Sequence, residues 1–467
     1  VKATVQLEEE AVDPVVVPAS PSASKVELWL WVFVMSFALD YRADQARAEG
    51  AGAGLDQLIF LGAAAVSTLA ILAQGWRYLL VRPGVWLIAL WGGFLVFMLG
   101  NSFMQGVNPG HSLRITLPLA LCFAGMLNAH IAGCVGISAS RIVAPIFIAA
   151  CTNICWRIAQ GFLFKGVTLE TVRVEVQSSA NSWLAAWIGA CILLKRRFDL
   201  RLPIACVILF TGIFITVTRT LLFPVMASAV ATSICFWIGS RSGVFRLRDL
   251  AGRIGIGVGA VGLIAVGVVG AYVANPTMVE RWEERLFHQS SDRNVVGDIS
   301  FLTRRAEVDG ILEILNKEPV HYLHGKGIGA SYYWHPAYMP EAHLVYPAGM
   351  ELGHEVWFAG HSMWTYALFS GGIIGVVVNL LFIGGTMAWS LWAARANAAL
   401  PGPDHWLSFL PFIAACCLLS ESFTTNPFDE RLAAINFGLM AGLAQSFFVR
   451  ASWIQSSPLS SPQHDRS

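Results

Sequence analysis

The spacing of the apolar runs constrains this chain more than any other feature. They fall near 26–40, 55–73, 84–103, 111–130, 139–160, 180–195, 200–218, 220–239, 253–274, 360–394, 406–421 and 433–450. A helix needs roughly 20 mainly apolar residues to cross the hydrocarbon of a bilayer. In lipid every backbone N–H and C=O must be satisfied within the structure, so runs of this length point to helices. Composition agrees: 55% of residues are hydrophobic and 13% charged, with a mean hydropathy of +0.59. Soluble domains carry about 25% charged residues. The expected fold is an all-α polytopic membrane protein of about twelve spans, if 360–394 is one helix with an interfacial start. Runs 180–195 and 406–421 are short for a span. Run 253–274 is rich in Gly, Ala and Val, which suits close helix packing in lipid.

These runs also divide the chain. Residues 1–24 are polar, acidic and Pro/Ser-rich, the composition of a disordered tail and not of a signal peptide. Residues 25–274 hold the first nine spans, 275–359 form one long polar loop, 360–450 hold the last three spans, and 451–467 form a second tail. Orientation follows from Lys and Arg in the short connections. One set of loops carries Arg77 and Arg82, then Lys195, Arg196, Arg197 and Arg201, then Arg241, Arg246, Arg248 and Arg253, then Arg395. In the opposite set, 104–110 has no basic residue and the other members mix signs. The first set is expected in the cytoplasm with both tails, and the long loop outside. In a bacterium with two membranes this describes a protein of the inner (cytoplasmic) membrane whose large loop faces the periplasm.

Other classes fit poorly. The net charge is +1, and the basic residues form no tract dense enough to follow a phosphate backbone, so no nucleic-acid partner is expected. The 9 cysteines lie almost entirely in apolar segments, as with Cys151, Cys155, Cys206, Cys416 and Cys417, without zinc-site spacing. They are expected to be small buried hydrophobes. No internal repeat is visible.

A polar loop of this length on a many-helix protein points to function, because long structureless connections are otherwise uncommon. The spacing of Ile311, Leu312, Ile314 and Leu315 predicts a helix over Asp309–Asn316, with Pro319 as its stop signal. A turn follows at His324-Gly325-Lys326-Gly327-Ile328-Gly329. Tyr332, Tyr333, Trp334, Tyr338, Tyr346 and Trp357 make the loop rich in aromatics. Such rings anchor at the headgroup level or stack on sugars.

Several arginines are expected on the same side. Arg219 lies in Thr216-Val217-Thr218-Arg219-Thr220-Leu221, between two apolar runs. An Arg there is costly and marks a functional position unless it snorkels to lipid phosphates. Arg114 and Arg157 fall near outer helix ends, and Arg304 and Arg305 lie in the loop. Glu421 is the main carboxylate available to compensate them. Guanidinium forks match phosphate oxygens, so an anionic ligand such as a lipid-linked diphosphate suits this face.

His361 begins a hydrophobic run at the end expected to carry these arginines. An imidazole accepts a proton near neutral pH without a metal. Cations beside it would favour the neutral, proton-accepting form. A structural histidine at a helix entry, with Ser362 as its polar partner, is the alternative. His354, His343, His335, His324 and His111 compete for the same role, and residue type alone does not choose among them.

The pattern His361-Ser362, nine residues, Gly372, two residues, Gly375 resembles the signature of the O-antigen ligase and polymerase superfamily. Thr218-Arg219-Thr220 is similar to that family's mid-chain Arg flanked by small hydroxyl residues. Arg305-Ala306-Glu307, followed by a helix and Gly325-Lys326-Gly327, is similar to the start of its large periplasmic loop, with Arg304 as the adjacent alternative. Asp309 departs from the pattern, which often has an aromatic residue there. The resemblance covers roughly 210–395 by motif and the whole chain by topology.

It implies a membrane-embedded, GT-C-like glycosyltransferase that is inverting and metal-independent and needs no cofactor. The donor would be O-antigen on undecaprenyl diphosphate. For ligases of the family the acceptor is a sugar hydroxyl of lipid A–core, in lipopolysaccharide biosynthesis. His361 would be the base on the acceptor hydroxyl, or would orient it. Arg219 and Arg305 (or Arg304) would hold the diphosphate and stabilise the charge that develops on it. Arg114 and Arg157 join them on topology alone. Ser362, Tyr332, Trp357 and Glu421 are expected as acceptor or loop contacts, and membrane lipids as further partners. Gly325-Lys326-Gly327 is expected to be a turn before anything else.

Three rivals remain. An O-antigen polymerase, or a ligase to a protein hydroxyl, would share the superfamily. A metal-dependent transferase could use Asp40 and Asp44 at the outer end of the first span. A transporter would be expected to show repeated halves and intramembrane carboxylates, which are not visible here.

Overall fold

A computed structural model describes residues 21–40, 55–80, 85–164, 176–195, 199–216, 218–245, 250–274, 276, 279–280, 282–283, 299–333, 336–338, 360–396 and 404–456. Among them the regular structure is helical. Each of the twelve apolar runs carries a helix. Nine precede the polar loop: α1 (Pro21–Met35), α2 (Leu55–Gly75), α3 (Val85–Met104), α4 (Pro109–Cys134), α5 (Ala139–Ala159), α6 (Ala180–Leu193), α7 (Arg201–Thr216), α8 (Leu222–Arg241) and α9 (Leu250–Ala274). The loop contributes α10 (Ile299–Lys317) and a single turn, His321–His324. After it come α11 (Met363–Ala396), α12 (Leu410–Ser422) and α13 (Arg431–Ser456). Among the described residues, eight helices are long and apolar enough to cross a membrane, and α6 and α7 are shorter apolar helices. This is the architecture of a multi-pass membrane protein.

Side-chain bonds sort the helix ends onto two ends of the bundle. At one end, the Asn153 amide near the end of α5 donates to the carbonyls of Ala38 and Asp40, just after α1. Arg431 at the start of α13 pairs with Asp40 at 3.1 Å and reaches Gln57 in the first turn of α2. Ser182 in the first turn of α6 donates to Glu421 in the last turn of α12. At the opposite end, Arg141 near the start of α5 pairs with Glu27 of α1. Arg253 of α9 donates to the Leu193 carbonyl closing α6. Asp404, before α12, accepts from Ser140 of α5.

Helices α4 and α13 pack backbone against backbone. A Cβ on Gly438 or Gly442 would strike the backbone of Cys122 or Met126, and one on Gly125 would lie 2.9 Å from the Ile435 carbonyl oxygen. Gly438 and Gly442 stand four apart on one face. Small residues at that spacing let helix backbones meet in lipid, where apolar burial alone favours no particular pair. Large apolar side chains remain exposed on the outward faces, including Leu58 and Leu69 of α2, Ile204 of α7 and Trp237 of α8. A lipid-facing surface carries such residues.

Several expected boundaries move. The first helix begins at Pro21, inside the stretch 1–24 expected to be disordered, and α13 continues to Ser456, past 450. The rest of both tails lies outside the described residues. The loop helix is longer than Asp309–Asn316, because Ala306 and Leu302 extend its apolar face toward Ile115 and Phe369. The run 360–394 is two helical segments across a break at Gly372.

Candidate active site at the junction of loop and helix

The break in α11 is built by glycine. Gly372 has φ 61° and ψ −157°, which L side chains scarcely adopt, and the backbone of Leu323 and His324 packs onto its bare Cα. The break exposes carbonyls that a continuous helix would consume. The Phe369 carbonyl accepts from Lys326 N–H at 2.8 Å, and the Ser370 carbonyl from Gly327 N–H at 3.0 Å. Gly325, Gly327 and Gly329 have positive φ and press on the backbone of Ser370, Ser102 and Ser112 respectively. From α3, Asn101 donates to the His324 carbonyl at 2.6 Å and Ser102 to the Ile328 carbonyl at 2.9 Å. The glycine turn is thus a wedge seated among α3, α4 and α11.

That seating carries His361 to Glu307. The Glu307 carboxylate, 1% exposed, takes the His361 ring Nδ1 at 3.0 Å. It also accepts the His361 backbone N–H at 3.1 and 3.3 Å, and the Tyr332 hydroxyl. Burial first, and then the Glu307 carboxylate, push the Tyr332 phenol well above the usual tyrosine range, so it remains a donor. Facing a carboxylate oxygen, Nδ1 of the ring is placed to donate. The His361 side chain is 34% exposed. Gly360 leaves room for the pair: a Cβ there would lie 2.6 Å from the Tyr366 Cβ and 3.2 Å from Glu307 Oε1.

The connection between α12 and α13 closes the site. The Thr424 carbonyl accepts from Arg304 Nη2 at 2.9 Å, and the Thr425 carbonyl from Met363 N–H at 3.2 Å. Ser362 Oγ donates to the Ser422 carbonyl at 3.3 Å and Trp364 Nε1 to Ser422 Oγ at 2.9 Å. Arg304, Ser362, Met363 and Trp364 therefore meet on one strip of chain, and His361 adjoins Ser362.

The other expected site residues divide. Arg157 is 4% exposed, and its guanidinium engages Glu430 at 3.4 Å and the Gln177 carbonyl. The guanidinium expected at the diphosphate is thus engaged in a buried pairing with these two groups. Glu421, expected to compensate the arginines, is buried and accepts from Ser182. Tyr332, expected to meet the acceptor, is 2% exposed and turned inward onto Glu307, because its ring packs with Phe369. Arg305 is on the outer face of α10, 70% exposed and 3.9 Å from Asp309. Arg219 opens the turn before α8, beside Thr218, whose hydroxyl donates to the Thr216 carbonyl. Cys417 of α12 donates to the Pro224 carbonyl at the start of α8, so Arg219 belongs to the same end of the bundle as Ser422 and His361. Arg114 is exposed in the first turns of α4, two residues from Ser112, on which the glycine wedge rests.

Of the competing histidines, His324 belongs to the turn, where its Nδ1 meets the Gly325 carbonyl at 2.9 Å. His111 is exposed at the start of α4. His335, His343, His354, Trp357 and Asp44 lie outside the described residues. Asp40, proposed above as a metal ligand, is held by Arg431 in an ion pair instead. Among the described residues no three His, Cys, Asp or Glu gather as a metal site would.

Glu307 is the residue that sequence reasoning missed. Its signal was its place two residues after Arg305 on a helix, on the face that carries Ala306 and Gly310 inward.

Fold and site together define a multi-pass helical membrane protein whose polar loop holds an imidazole against a buried carboxylate. Comparison with known proteins finds no family model that matches the chain and no curated protein that matches it significantly.

Proposed function

We propose that this chain is a glycosyltransferase of the O-antigen ligase kind. It moves O-antigen from undecaprenyl diphosphate to a sugar hydroxyl of lipid A–core, with about twelve spans in the inner membrane and its site end in the periplasm. The observation that carries the proposal is the wedge. Two of the three stretches on which the family resemblance rests, Arg305–Gly327 with the adjacent Arg304, and His361–Gly375, are bonded to each other, and Arg304 and Ser362, next to His361, reach one strip of chain.

In this reaction the acceptor O–H bond breaks and its proton passes to Nε2 of His361. The acceptor oxygen forms a bond to the anomeric carbon from the face opposite the diphosphate, inverting it. The sugar–phosphate bond breaks and its electron pair leaves on the diphosphate. Arg304 or Arg305, with Arg219 and Arg114, neutralise that charge as it develops, which lowers the barrier directly. The diphosphate then needs no acid to leave.

The test is the lipopolysaccharide banding of a strain lacking the protein, with its lipid-linked intermediates, complemented by wild type or by His361→Ala. Bare core with long chains accumulating on undecaprenyl diphosphate, rescued by wild type but not by an expressed His361→Ala, is the expected result. Core carrying a single repeat unit would make it a polymerase. An unchanged pattern would overturn the proposal.

A further inference from the structure

Resting on that proposal, we infer that Glu307 is the positioning residue of the base: it sets which nitrogen of His361 takes the proton and holds the imidazolium once it forms. The inference stands on geometry. One carboxylate of 1% exposure receives both the ring Nδ1 and the backbone N–H of the same histidine, so it fixes ring and main chain together. Tyr332 supplies a further donor, which occupies the carboxylate and keeps it from turning away.

A buried carboxylate facing this many donors is held in one orientation by them. Neutral imidazole in water prefers its hydrogen on Nε2; the carboxylate reverses this and puts the lone pair on Nε2, in a side chain that is 34% exposed. When Nε2 takes the acceptor proton, the positive ring lies 3.0 Å from a fixed negative charge. Charge is then created beside its counter-charge, in a site that need not reorganise.

The pair is also an assembly device. Glu307 comes from α10, Tyr332 from beyond the glycine wedge, and His361 from the entry to α11. The base is therefore competent only when the loop is seated on the bundle.

Two measurements on the full-length protein in detergent test this. The first is the ¹⁵N spectrum of labelled histidine side chains, with His361 identified by the signal missing from His361→Gln. At a pH where this ring is neutral, the hydrogen is expected on Nδ1 in wild type and to shift toward Nε2 in Glu307→Gln. A wild-type ring protonated on Nε2 would overturn the inference whatever the activity.

The second is transfer from undecaprenyl diphosphate-linked oligosaccharide to lipid A–core. Glu307→Gln is expected to fall about 100-fold, the upper end of the loss when a partner that orients a metal-binding histidine is removed. Glu307→Asp should recover part of this. Tyr332→Phe, which keeps the ring packing and the carboxylate, should fall less than about 10-fold. In a His361→Ala background, Glu307→Gln should add no further loss, because both act through one group. An inactive His361→Ala beside a fully active Glu307→Gln would sink this inference and leave the proposed function standing. A fully active His361→Ala would sink the base itself, while the spectrum still decides the positioning.

Discussion

Replacing Gly372 with Ala should unseat the loop without unfolding the bundle. Its φ of 61° with ψ of −157° lies in a region that glycine alone populates, and forcing a side chain there costs roughly 1–3 kcal/mol. The new Cβ would also lie 2.6 Å from His324 N and closer still to the Leu323 carbonyl group. These are backbone atoms that cannot rotate away, so the turn must back off. Three hydrogen bonds then go: Lys326 N–H to Phe369, Gly327 N–H to Ser370, and Asn101 to His324. At about 1 kcal/mol each, with the strain, the seated state loses roughly 4–6 kcal/mol. Because release of the turn avoids most of this, the loss should appear as local opening and not as global melting. Hydrogen exchange in detergent or nanodiscs would show lost protection over 323–330 and 363–370, with the remaining helices unchanged. Transfer should fall at least about 100-fold, since a displacement on the order of 1 Å suffices for that. Gly384 of the same helix has nothing near its Cα, and Gly384→Ala should be neutral or slightly stabilising. Wild-type protection and transfer in Gly372→Ala would refute the reasoning.

Other outcomes can be checked separately. Breaking the Arg157–Glu430 pair with Arg157→Gln should lower thermal stability by about 3–5 kcal/mol, as for a buried pair that loses one partner, while transfer per folded molecule holds; an unchanged melting point with weakened donor binding would return Arg157 to the diphosphate site. Asn101→Ala strips the His324 carbonyl of its side-chain donor at 2.6 Å and should raise exchange at the wedge, yet add little to Gly372→Ala because both release the same turn. Incubation with EDTA should leave transfer unchanged, and loss restored by Mg²⁺ or Mn²⁺ would favour the metal-dependent rival. The Glu318 carboxyl is lowered from its ordinary 4.5, first by Lys326 and then by His321. A depressed carboxylate contributes stability above its unfolded value and loses it as pH falls through the folded one. Exchange around 318–326 should therefore rise on acidification below about 4.5, and Glu318→Gln should flatten that dependence.

Helices were legible because lipid leaves them little choice: every apolar run became one, even the short stretches 180–195 and 406–421. The break at Gly372 was hidden, since an apolar run reads the same whether its backbone is continuous or folded around a visitor. His361 stood out by its place at the start of a run. Glu307 did not, because a single Glu on a loop helix is ordinarily solvated, and nothing local marks it as buried. Its burial depends on Tyr332 and His361, 25 and 54 residues away. Arg157 shows the converse. Its position near a helix end suggested a ligand, while its partner Glu430 sits in a connection whose fold no local pattern dictates.

Under the proposed function, the arrangement also explains how glycines could belong to the same pattern as the histidine. Gly375 packs against the Ala367 carbonyl at what would be 2.7 Å from a Cβ, and Gly372 against Leu323 and His324. Neither touches His361. Their part is to open α11 so that its Phe369 and Ser370 carbonyls face outward, and the wedge of Gly325, Gly327 and Gly329 fills that opening. Seating the wedge sets the start of α10 on one side and Tyr332 on the other, and Glu307 then lies where His361 needs it. A histidine at the same helix entry without the break would keep its exposure and lose its carboxylate. The spacing from His361 to Gly372 is thus a length of helix: it sets how far the docked turn lies below His361, and through α10 how far Arg304 lies from it.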